Sequence, residues 1–390
     1  MIPLTARGHA HRVDRPIVGR VATGSAEVWP PQTIWARSSW EPSPSSSSPA
    51  ALLCSASLDA ATLVSVPIPA VHGVRVDHLT DGDIVRLDDR GHVRTLYRRH
   101  SQHNALFATE RCNSLCVMCS QPPRDVDDDW RVEEMLEVVS LIDPATKALG
   151  ITGGEPSLLG EGFLRVVQAC AHTLPTTALH VLSNGRLFRY ASFANALGEL
   201  HHPDLMLGIP IYSDVDREHD YVVQAKGAFE DTLLGLQNLA RAHVPVEIRV
   251  VVHRSTYQRL PQLAEFIYRN LTFAAQVALM GLEITGYTIA NLDDLWIDPW
   301  DYRLELEAAT LALVDRGMNV VVFNHQLCTV PQSIWPYCRQ SISDWKNEYI
   351  QKCDICAVRD TCGGFFTSSQ RRRSAHIRAM PSPWTPLPTG

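Results

Sequence analysis

From about residue 104, short apolar runs alternate with longer stretches in which apolar residues recur every three or four positions. Such alternation predicts repeated β-α units around a parallel sheet. The candidate strands are NALFATE, KALGIT, ALHVLS, DLMLGIPIYS, VEIRVVV and QVALMGLEI. The candidate helices include WRVEEMLEVVSLI, LRVVQACAHTL, DTLLGLQNLARAH, LPQLAEFIYRN and DYRLELEAATLALVDRG. Six units are too few for a closed eight-unit barrel, so we expect an open or partial α/β barrel with its site at the C-terminal strand ends.

The regions on either side of this series have different patterns. In GDIVRLDDRGHVRTLYRR, apolar and polar residues alternate around a turn sequence, which predicts a hairpin within a β-rich region, residues 1–102. Residues 31–50 are rich in Pro and Ser and predict a surface loop. The β-α series occupies 103–318. After it, NVVVFN predicts one more strand, and the Cys-rich segment up to residue 370 has too little apolar material for its own core, so we expect a metal to stabilise it. Residues 371–390 predict a frayed tail.

Composition and charge narrow the class of protein. Apolar residues make up 45% and charged residues 20% of the chain, as in globular proteins. The net charge of −7 provides no global positive field for nucleic acid. Because no apolar run is long enough for a signal peptide or a membrane span, we expect a cytoplasmic protein with no membrane partner. In that reducing compartment the ten cysteines favour metal ligands over disulfides, except Cys54 and Cys170, which we expect in the core.

Three cysteines form a CxxxCxxC motif directly after the first strand of the series, namely Cys112, Cys116 and Cys119. Three thiolates leave one coordination position of a metal open, and in a cubane iron-sulfur cluster they leave one iron without a protein ligand. A zinc knuckle and buried cysteines without metal are the alternatives. The spacing and the missing fourth ligand favour an open site that also binds a small molecule.

Polar residues and glycines follow several of the other predicted strands. Gly153, Gly154 and Glu155 end the second strand, where glycines let the main chain approach a ligand and a carboxylate can accept hydrogen bonds from an ammonium group. A simple turn between strand and helix is the alternative reading. The polar residues at later strand ends are Ser183 and Asn184, Ser213, and Arg249 with His253, and the forked donors of Arg249 suit a carboxylate.

These motifs resemble those of the radical SAM superfamily, which implies a partial (β/α)6 TIM-like barrel. The resemblance implies that the three cysteines hold a [4Fe-4S] cluster, whose fourth iron binds S-adenosylmethionine (SAM), and that reduction releases a 5′-deoxyadenosyl radical. It further implies that the GGEP motif holds the methionine amino group. It places Met118 near the adenine and the polar residues of the later strand ends near other parts of SAM, namely Ser183, Asn184, Ser213 and Arg249.

A second cysteine group lies near the C-terminus, where Cys353, Cys356 and Cys362 form CxxCxxxxxC. A fourth ligand can come from Cys328 or Cys338, and we favour Cys328 because it directly follows a predicted strand. Structural zinc and an iron-sulfur cluster both suit this set. The pattern resembles the short SPASM or twitch extensions of radical SAM peptide-modifying enzymes, which implies a second, auxiliary [4Fe-4S] cluster.

Longer strings resemble the C-type radical SAM maturase of His-Xaa-Ser systems from about residue 60 to 380. They are CNSLCVMCSQPP, YSDVDREHDYVVQAKGAFEDTLLGLQNL, VVVHRSTYQRLPQLAEFIYRNL and SISDWKNEYIQKCDICAVRDTCGGFF. The resemblance implies a ribosomally made precursor peptide as substrate, a second radical SAM maturase as partner, and an electron donor. A tRNA or cofactor precursor as substrate, and a non-catalytic metal-stabilised partner protein, remain the alternatives. We expect structural roles for Tyr212, Asp220, Lys226, Glu283 and Trp345, with the lining of a pocket as the alternative. For Arg371 to Arg373 we expect a solvated surface run, with contact to an acidic leader peptide as the alternative.

Overall fold

The computed structural model describes residues 4–40, 47–341 and 347–381. Its contacts divide the chain into two compact units that do not follow the chain in two simple blocks. One unit comprises the described residues within Met1–Phe107, Asp129–Gly150 and Arg165–Ala178, and the other those within Ala108–Asp128, Ile151–Leu164 and Leu179–Gly390.

The N-terminal region forms an eight-stranded sheet with one short helix. Its strands are β1 Thr5–Arg7, β2 His9–His11, β3 Ile17–Ala22, β4 Thr33–Arg37, β5 Ala51–Cys54, β6 Ala70–His72, β7 Ile84–Leu87 and β8 His92–Tyr97, with helix α1 Ala60–Val64. The predicted hairpin is confirmed as the antiparallel pair β7 and β8. Strand β4 lies within the segment predicted as a Pro- and Ser-rich loop, so that prediction is wrong for Thr33–Arg37, where the described backbone pairs with β3 and β5.

The ends of this sheet are joined through one chain segment. The strand order is β1-β8-β7-β3-β4-β5-β6-β2, and β1 and β2 are separated only by Gly8. A Cβ atom on Gly8 would lie 2.4 Å from the carbonyl oxygen of His72, so only glycine fits this junction. The side chains of one apolar cluster in this region include Ile34, Leu53 and Val85, all fully buried. The two terminal strands of the sheet are therefore consecutive in the chain, and the region buries a core of its own.

The β-α series forms a second eight-stranded sheet, in the order β16-β15-β14-β13-β12-β11-β10-β9. Its strands are β9 Asn104–Phe107, β10 Ala148–Thr152, β11 Ala178–Leu182, β12 Leu205–Pro210, β13 Val246–Val252, β14 Gln276–Gly281, β15 Val320–Phe323 and β16 Cys338–Arg339. Strands β11 to β16 run parallel to one another. The predicted α/β class with a parallel sheet is confirmed, and β16 is a strand that the sequence pattern did not indicate.

Nine helices accompany this sheet in the described part of the chain. They are α2 Arg131–Leu141, α3 Glu161–Thr173, α4 Ala191–Gly198, α5 Asp216–Val223, α6 Ala228–Arg241, α7 Leu260–Asn270, α8 Tyr287–Ala290, α9 Leu292–Leu295 and α10 Arg303–Val314. Helix α7 shows why the longer ones form, since it has a proline in its first turn and buries Leu260, Leu263, Ala264 and Ile267, spaced for one face. The described part of the chain contains no helix that is long and apolar enough to cross a membrane.

Candidate active site and metal centres

Residues 112–119, the cysteine loop, follow strand β9 and carry Cys112, Cys116 and Cys119, all unpaired and partly buried. Burial, with a contribution from the negative charge of Glu155, raises the pKa of the Cys112 thiol to about 11. Burial, followed by the neighbouring Cys112 and Cys119, raises the pKa of Cys116 to about 12. Metal-free thiols are therefore protonated at neutral pH, and binding of a cluster must displace their protons.

The backbone of the cysteine loop is held by the last turn of α5. The Leu115 amide donates to the Val223 carbonyl at 3.0 Å, and the Val117 amide donates to the Val222 carbonyl at 2.9 Å. Helix α5 also places these valines in an apolar cluster with Met118, Tyr212 and other residues. These hydrogen bonds fix the main chain of the cysteine loop, and three thiols can bind one cluster only from a main chain that holds them in place.

A second segment, residues 286–291 after strand β14, donates hydrogen bonds to carbonyl groups of the cysteine loop. The Tyr287 amide donates to the Cys119 carbonyl at 2.8 Å, and the Thr288 hydroxyl donates to the Met118 carbonyl at 3.2 Å. The Asn291 side chain donates to the Val117 carbonyl at 2.8 Å. These contacts cross more than 160 positions of the sequence, so nothing in the local pattern indicated them.

Gly153 and Gly154 let the end of β10 pass directly beside the chain that leads into the cysteine loop. The Gly154 amide donates to the Thr109 carbonyl at 2.6 Å. A Cβ atom on Gly154 would lie 1.9 Å from the Arg111 carbonyl oxygen, and Gly153 has a φ of 138°. Both positions therefore require glycine because of close approach and backbone conformation.

Glu155 is fully buried, and its carboxylate accepts four hydrogen bonds from protein groups. The donors to Oε1 are the Ser157 amide at 3.1 Å, the Ser157 hydroxyl at 2.6 Å and the Ser183 hydroxyl at 2.7 Å. The Asn184 amide donates to Oε2 at 2.6 Å. Burial raises the pKa of Glu155, and the hydrogen bonds counter that effect. The carboxylate thus joins the ends of β10 and β11, and its contact with a SAM amino group stays a prediction.

Asn184 connects the end of β11 to the cysteine loop. Its side-chain amide nitrogen lies 3.9 Å from the Cys112 sulfur and donates to the Asn113 side chain at 2.6 Å. Arg186, which the sequence analysis did not single out, donates to the Asn113 carbonyl and is paired with Asp231 at 3.3 Å. Arg186 directly follows Gly185 of the Ser-Asn-Gly turn, and one charged residue after such a turn is too common to indicate a site.

The structure gives Ser213 and Arg249 partners within the protein. The Ser213 hydroxyl donates to Glu218 at 2.7 Å and accepts from the Val215 amide, and these two bonds lie at the start of helix α5. The prediction that Arg249 lies at a strand end is wrong, because it is the central residue of β13, where it donates to Glu247 at 2.6 Å and to the Met280 sulfur at 3.2 Å. Their predicted contacts with SAM remain predictions.

His253 and Met118 are buried near the same strand ends. His253 is fully buried, its Nδ1 lies 2.8 Å from the Ser255 hydroxyl, and burial lowers its pKa to about 4. Met118 packs in the apolar cluster with Tyr212, whose pKa burial raises well above its usual value. The thioether of Met118 and the aromatic ring of Tyr212 thus belong to one apolar cluster at the cysteine loop.

Of the other conspicuous residues, Asp220 has a defined place. Asp220 accepts from the Gly227 and Phe229 amides and so caps α6, as a structural role requires. Trp345 lies outside the described residues.

Cysteines of the second group line one small cavity, namely Cys328, Cys353, Cys356 and Cys362. Burial raises the pKa of the Cys328 thiol, and Cys362, Cys353 and Cys356 raise it further, whereas Cys362 is the one cysteine that contributes to the raised pKa of Cys338. The Cys338 thiol instead points to the Ile334 carbonyl at 3.5 Å. Together, Cys328, Cys353, Cys356 and Cys362 are called the auxiliary site.

Main-chain amides donate to sulfur atoms of the auxiliary site. The Leu327 amide donates to Cys362 at 3.4 Å, and the Met380 amide donates to Cys356 at 3.3 Å. Such donors stabilise thiolates that are bound to a metal. The prediction of a frayed tail is wrong for the described residues 374–381, because Met380 and Ile377 pack against the auxiliary cysteines.

These donor sets fit iron-sulfur clusters, which take thiolate ligands on separate iron atoms. Within the described residues, no group of three or more His, Cys, Asp or Glu side chains is arranged around a single metal ion. The cysteine loop supplies three thiols beside a glycine-lined strand end, and the auxiliary site supplies four.

Comparison with known proteins identifies the class. Residues 106–267 match the family described as the Radical SAM superfamily. The chain therefore contains a radical SAM domain, in agreement with the predicted superfamily. A comparison with curated proteins gives no match.

Several solved structures are similar to part of the chain. SuiB of Streptococcus suis bound to S-adenosylmethionine is 15% identical, with 61% of this chain and 53% of that chain covered and a TM-score of 0.46. SuiB bound to the precursor peptide SuiA is 14% identical, with 62% and 51% covered and a TM-score of 0.45. Native anSMEcpe with bound AdoMet is 16% identical, with 56% and 62% covered and a TM-score of 0.41. The chain thus spans about half to two thirds of the length of these proteins.

Proposed function

We propose that this protein reductively cleaves SAM and uses the resulting radical to modify a ribosomally made precursor peptide of the His-Xaa-Ser type. A [4Fe-4S] cluster bound by Cys112, Cys116 and Cys119 would supply one electron to the sulfonium of SAM, giving methionine and a 5′-deoxyadenosyl radical. Hydrogen abstraction from a carbon of the peptide would then give 5′-deoxyadenosine and a substrate radical. The radical SAM domain at residues 106–267 supports this chemistry.

The observation that carries the proposal is that the ends of β10 and β11 are held beside the cysteine loop by close main-chain contacts and hydrogen bonds. Glycines at the end of β10 bring the main chain against Arg111, immediately before Cys112. Glu155 fixes the ends of β10 and β11 to each other through Ser183 and Asn184. Main-chain and side-chain polar groups of these two strand ends can then bind and orient the amino-acid part of SAM.

We further propose that the auxiliary site holds a second [4Fe-4S] cluster. Four cysteines line one cavity, and amides of Leu327 and Met380 donate to two of their sulfur atoms. A fully ligated cluster at this place would carry electrons or stabilise the C-terminal segment. The partners implied are the precursor peptide, a second radical SAM maturase and an electron donor.

Anaerobic turnover tests the proposal. The reconstituted protein should form 5′-deoxyadenosine and methionine from SAM in the presence of dithionite, measured by liquid chromatography and mass spectrometry. The triple variant of Cys112, Cys116 and Cys119 to Ala should form neither, while Cys54→Ala, a buried thiol outside both sites, should retain both products. Persistent 5′-deoxyadenosine in the triple variant would contradict the assignment.

The substrate is tested separately by anaerobic co-expression with the small proteins encoded beside this one. A mass change in one of them that depends on the three cysteines supports a precursor peptide. Cleavage of SAM without a mass change in any of them would leave the radical chemistry standing and would favour a tRNA or cofactor precursor.

A further inference from the structure

Arg186 joins the first half of the cysteine loop to helix α6. Its terminal nitrogen Nη1 donates to the Asn113 carbonyl and, at 3.3 Å, to the Ser114 hydroxyl. The other edge of the guanidinium binds Asp231 of helix α6, with Nε 3.4 Å and Nη2 3.3 Å from the same carboxylate oxygen. One side chain therefore holds two residues of the loop and one residue of the helix at the same time.

The ion pair of Arg186 and Asp231 is largely withdrawn from water, since their side chains are 16% and 18% exposed. Arg189 binds the same carboxylate at 2.7 Å, and its other terminal nitrogen donates to the Tyr190 hydroxyl at 2.6 Å. Within the described residues Arg189 makes no hydrogen bond to the cysteine loop. Two arginines thus share one carboxylate, and one of them reaches the loop.

Ser114 connects Arg186 to the first cysteine of the loop. The hydroxyl of Ser114 accepts from Arg186, while its main-chain amide donates to the Cys112 sulfur. On the other side of Cys112, the Arg111 carbonyl accepts from the Glu155 amide at 2.8 Å. Cys112 therefore lies between two anchored stretches of main chain, and Arg186 supplies one of the two anchors.

Asn184 reinforces the same connection from the end of β11. Its side-chain oxygen accepts from the Arg186 amide at 3.0 Å, and its side-chain nitrogen donates to the Asn113 side chain at 2.6 Å. The Thr232 hydroxyl, next to Asp231 on helix α6, donates to the Asn184 carbonyl at 3.1 Å. Helix α6 thus holds both the side chain of Arg186 and the main chain of Asn184.

We propose that Arg186 is a positioning residue for the cleavage of SAM and that it acts through the cysteine loop. By joining Asn113 and Ser114 to Asp231, its guanidinium fixes the Cys112 sulfur relative to the end of β11. This inference rests on the proposed function, because it assigns a role within the same site. A small displacement of a reacting group lowers the rate of a reaction far more than it weakens binding of the substrate.

The positive charge of Arg186 is the other property through which it can act. The carboxylate of Asp231 lies 3.3 Å from Nη2 and offsets that charge. The forked arrangement of donors, in contrast, is fully used, because one edge binds Asp231 and Nη1 binds the cysteine loop. We therefore assign the role to the geometry of the guanidinium, and an effect of charge alone is an outcome that contradicts the proposal.

Hydrogen–deuterium exchange of the anaerobically reconstituted protein tests the contact without SAM cleavage. Arg186→Gln should raise the exchange rate of the amides in residues 113–117 by about fivefold, because hydrogen bonds from a charged donor are among the stronger ones. Arg189→Gln is the matched control, because it removes an arginine from the same carboxylate without changing a contact of the loop. That variant should leave the exchange rate of these amides unchanged.

Steady-state kinetics of SAM cleavage with dithionite then separate position from binding. Arg186→Gln should lower kcat for 5′-deoxyadenosine by about tenfold, since the Cys112 sulfur is no longer held in place. The KM for SAM should stay the same, because the variant keeps the main-chain amide that orients Asn184. Arg186→Lys keeps the charge without the forked donors and should recover little of the lost rate.

Asp231→Asn tests the anchor on helix α6. It should lower kcat in the same direction as Arg186→Gln, because the guanidinium loses its fixed partner. The two changes act on one link, so the double variant should lose no more than Arg186→Gln alone. Additive losses would show that Arg186 and Asp231 act separately and would contradict the proposal.

Equal exchange rates in Arg186→Gln and Arg189→Gln would overturn the proposal. Full kcat in Arg186→Lys would assign the effect to charge instead, and a raised KM with unchanged kcat would make Arg186 a binding residue for SAM. If the unchanged protein forms no 5′-deoxyadenosine, the proposed function fails, whereas the exchange rates still show whether Arg186 holds the loop. The two failures are therefore distinguishable.

Discussion

Cys328 and Cys338 differ in what surrounds their sulfur atoms, although both precede the CxxC motif of the auxiliary site. Cys328 lies in the cavity with the other three cysteines and packs against Phe365 and Ile377. Cys338 lies in strand β16, beside β15, and its thiol faces the Ile334 carbonyl. Burial raises the pKa of Cys338 to about 12, which keeps it protonated in the metal-free chain.

Replacing these two cysteines one at a time therefore separates a ligand from a core thiol. We expect Cys328→Ala to lose about four of about eight reconstituted irons, because the auxiliary cluster loses one of its four thiolates and has no SAM to bind the iron that this thiolate held. Cys338→Ala should keep them all and lose only folding stability, by about 1 to 2 kcal/mol, as a small buried side chain is removed. Iron and sulfide analysis with electron paramagnetic resonance measures the first effect, and the reverse pattern would assign Cys338 as the ligand.

The sequence predicted the residue types of the candidate site better than their individual contacts. Spacing identified Cys112, Cys116 and Cys119 because convergence of three thiols on a cluster depends on a short stretch of chain. The buried network of Glu155 could not be predicted, since its partners Ser183 and Asn184 come from the next strand and only the folded sheet brings them within 2.7 Å of the carboxylate.

At the scale of elements, residues 286–291 hold the cysteine loop through three of its carbonyl groups. Gly286 permits this approach, because it has a φ of 52° and a Cβ atom there would lie 2.2 Å from the Cys119 carbonyl oxygen. The segment follows β14, while the cysteine loop follows β9. The positions of the thiols therefore depend on contacts between parts of the chain that are far apart in the sequence.

Gly286→Ala should therefore displace the cysteine loop and lower the iron content at Cys112, Cys116 and Cys119 to less than about half. Both the left-handed backbone conformation and the close approach to the Cys119 carbonyl disfavour a side chain at this position. Gly317→Ala is the matched control, because Gly317 has a φ of 77° and open space around its Cα. That variant carries the conformational cost alone and should keep its full iron content. Equal iron loss in both variants, measured after identical reconstitution, would show that general destabilisation causes the effect.

The element pattern of the sheet was predictable wherever strands are short apolar runs and helices are long and amphipathic. Helix α5 was missed because it is only eight residues long and mostly polar, with three buried residues, His219, Val222 and Val223. Strand β16 was missed because two residues show no periodicity and follow a segment containing Trp and Pro. Tertiary contacts, rather than local propensity, stabilise such elements.

At the scale of the whole molecule, the end of the described chain returns to the auxiliary site instead of leaving it. The Ala375 amide donates to Asp298 at 3.0 Å, and His376 stacks on Trp300 with ring centres 4.7 Å apart. A few residues later, the Met380 amide reaches the Cys356 sulfur, and the Ala357 amide donates to the Met380 carbonyl. Residues 374–381 thus cover the auxiliary site, in a segment that has too little apolar material for a core of its own.

A stop codon at position 374 should therefore release about half of the iron from the reconstituted protein, because the auxiliary site loses the Met380 amide and the cover of Ile377. The cysteine loop, which makes none of these contacts, should keep its iron and still support formation of 5′-deoxyadenosine. A stop codon at position 382 is the control, because it leaves residues 374–381 in place. Full iron content after the longer truncation, or equal loss after both, would show that residues 374–381 do not hold the auxiliary site together.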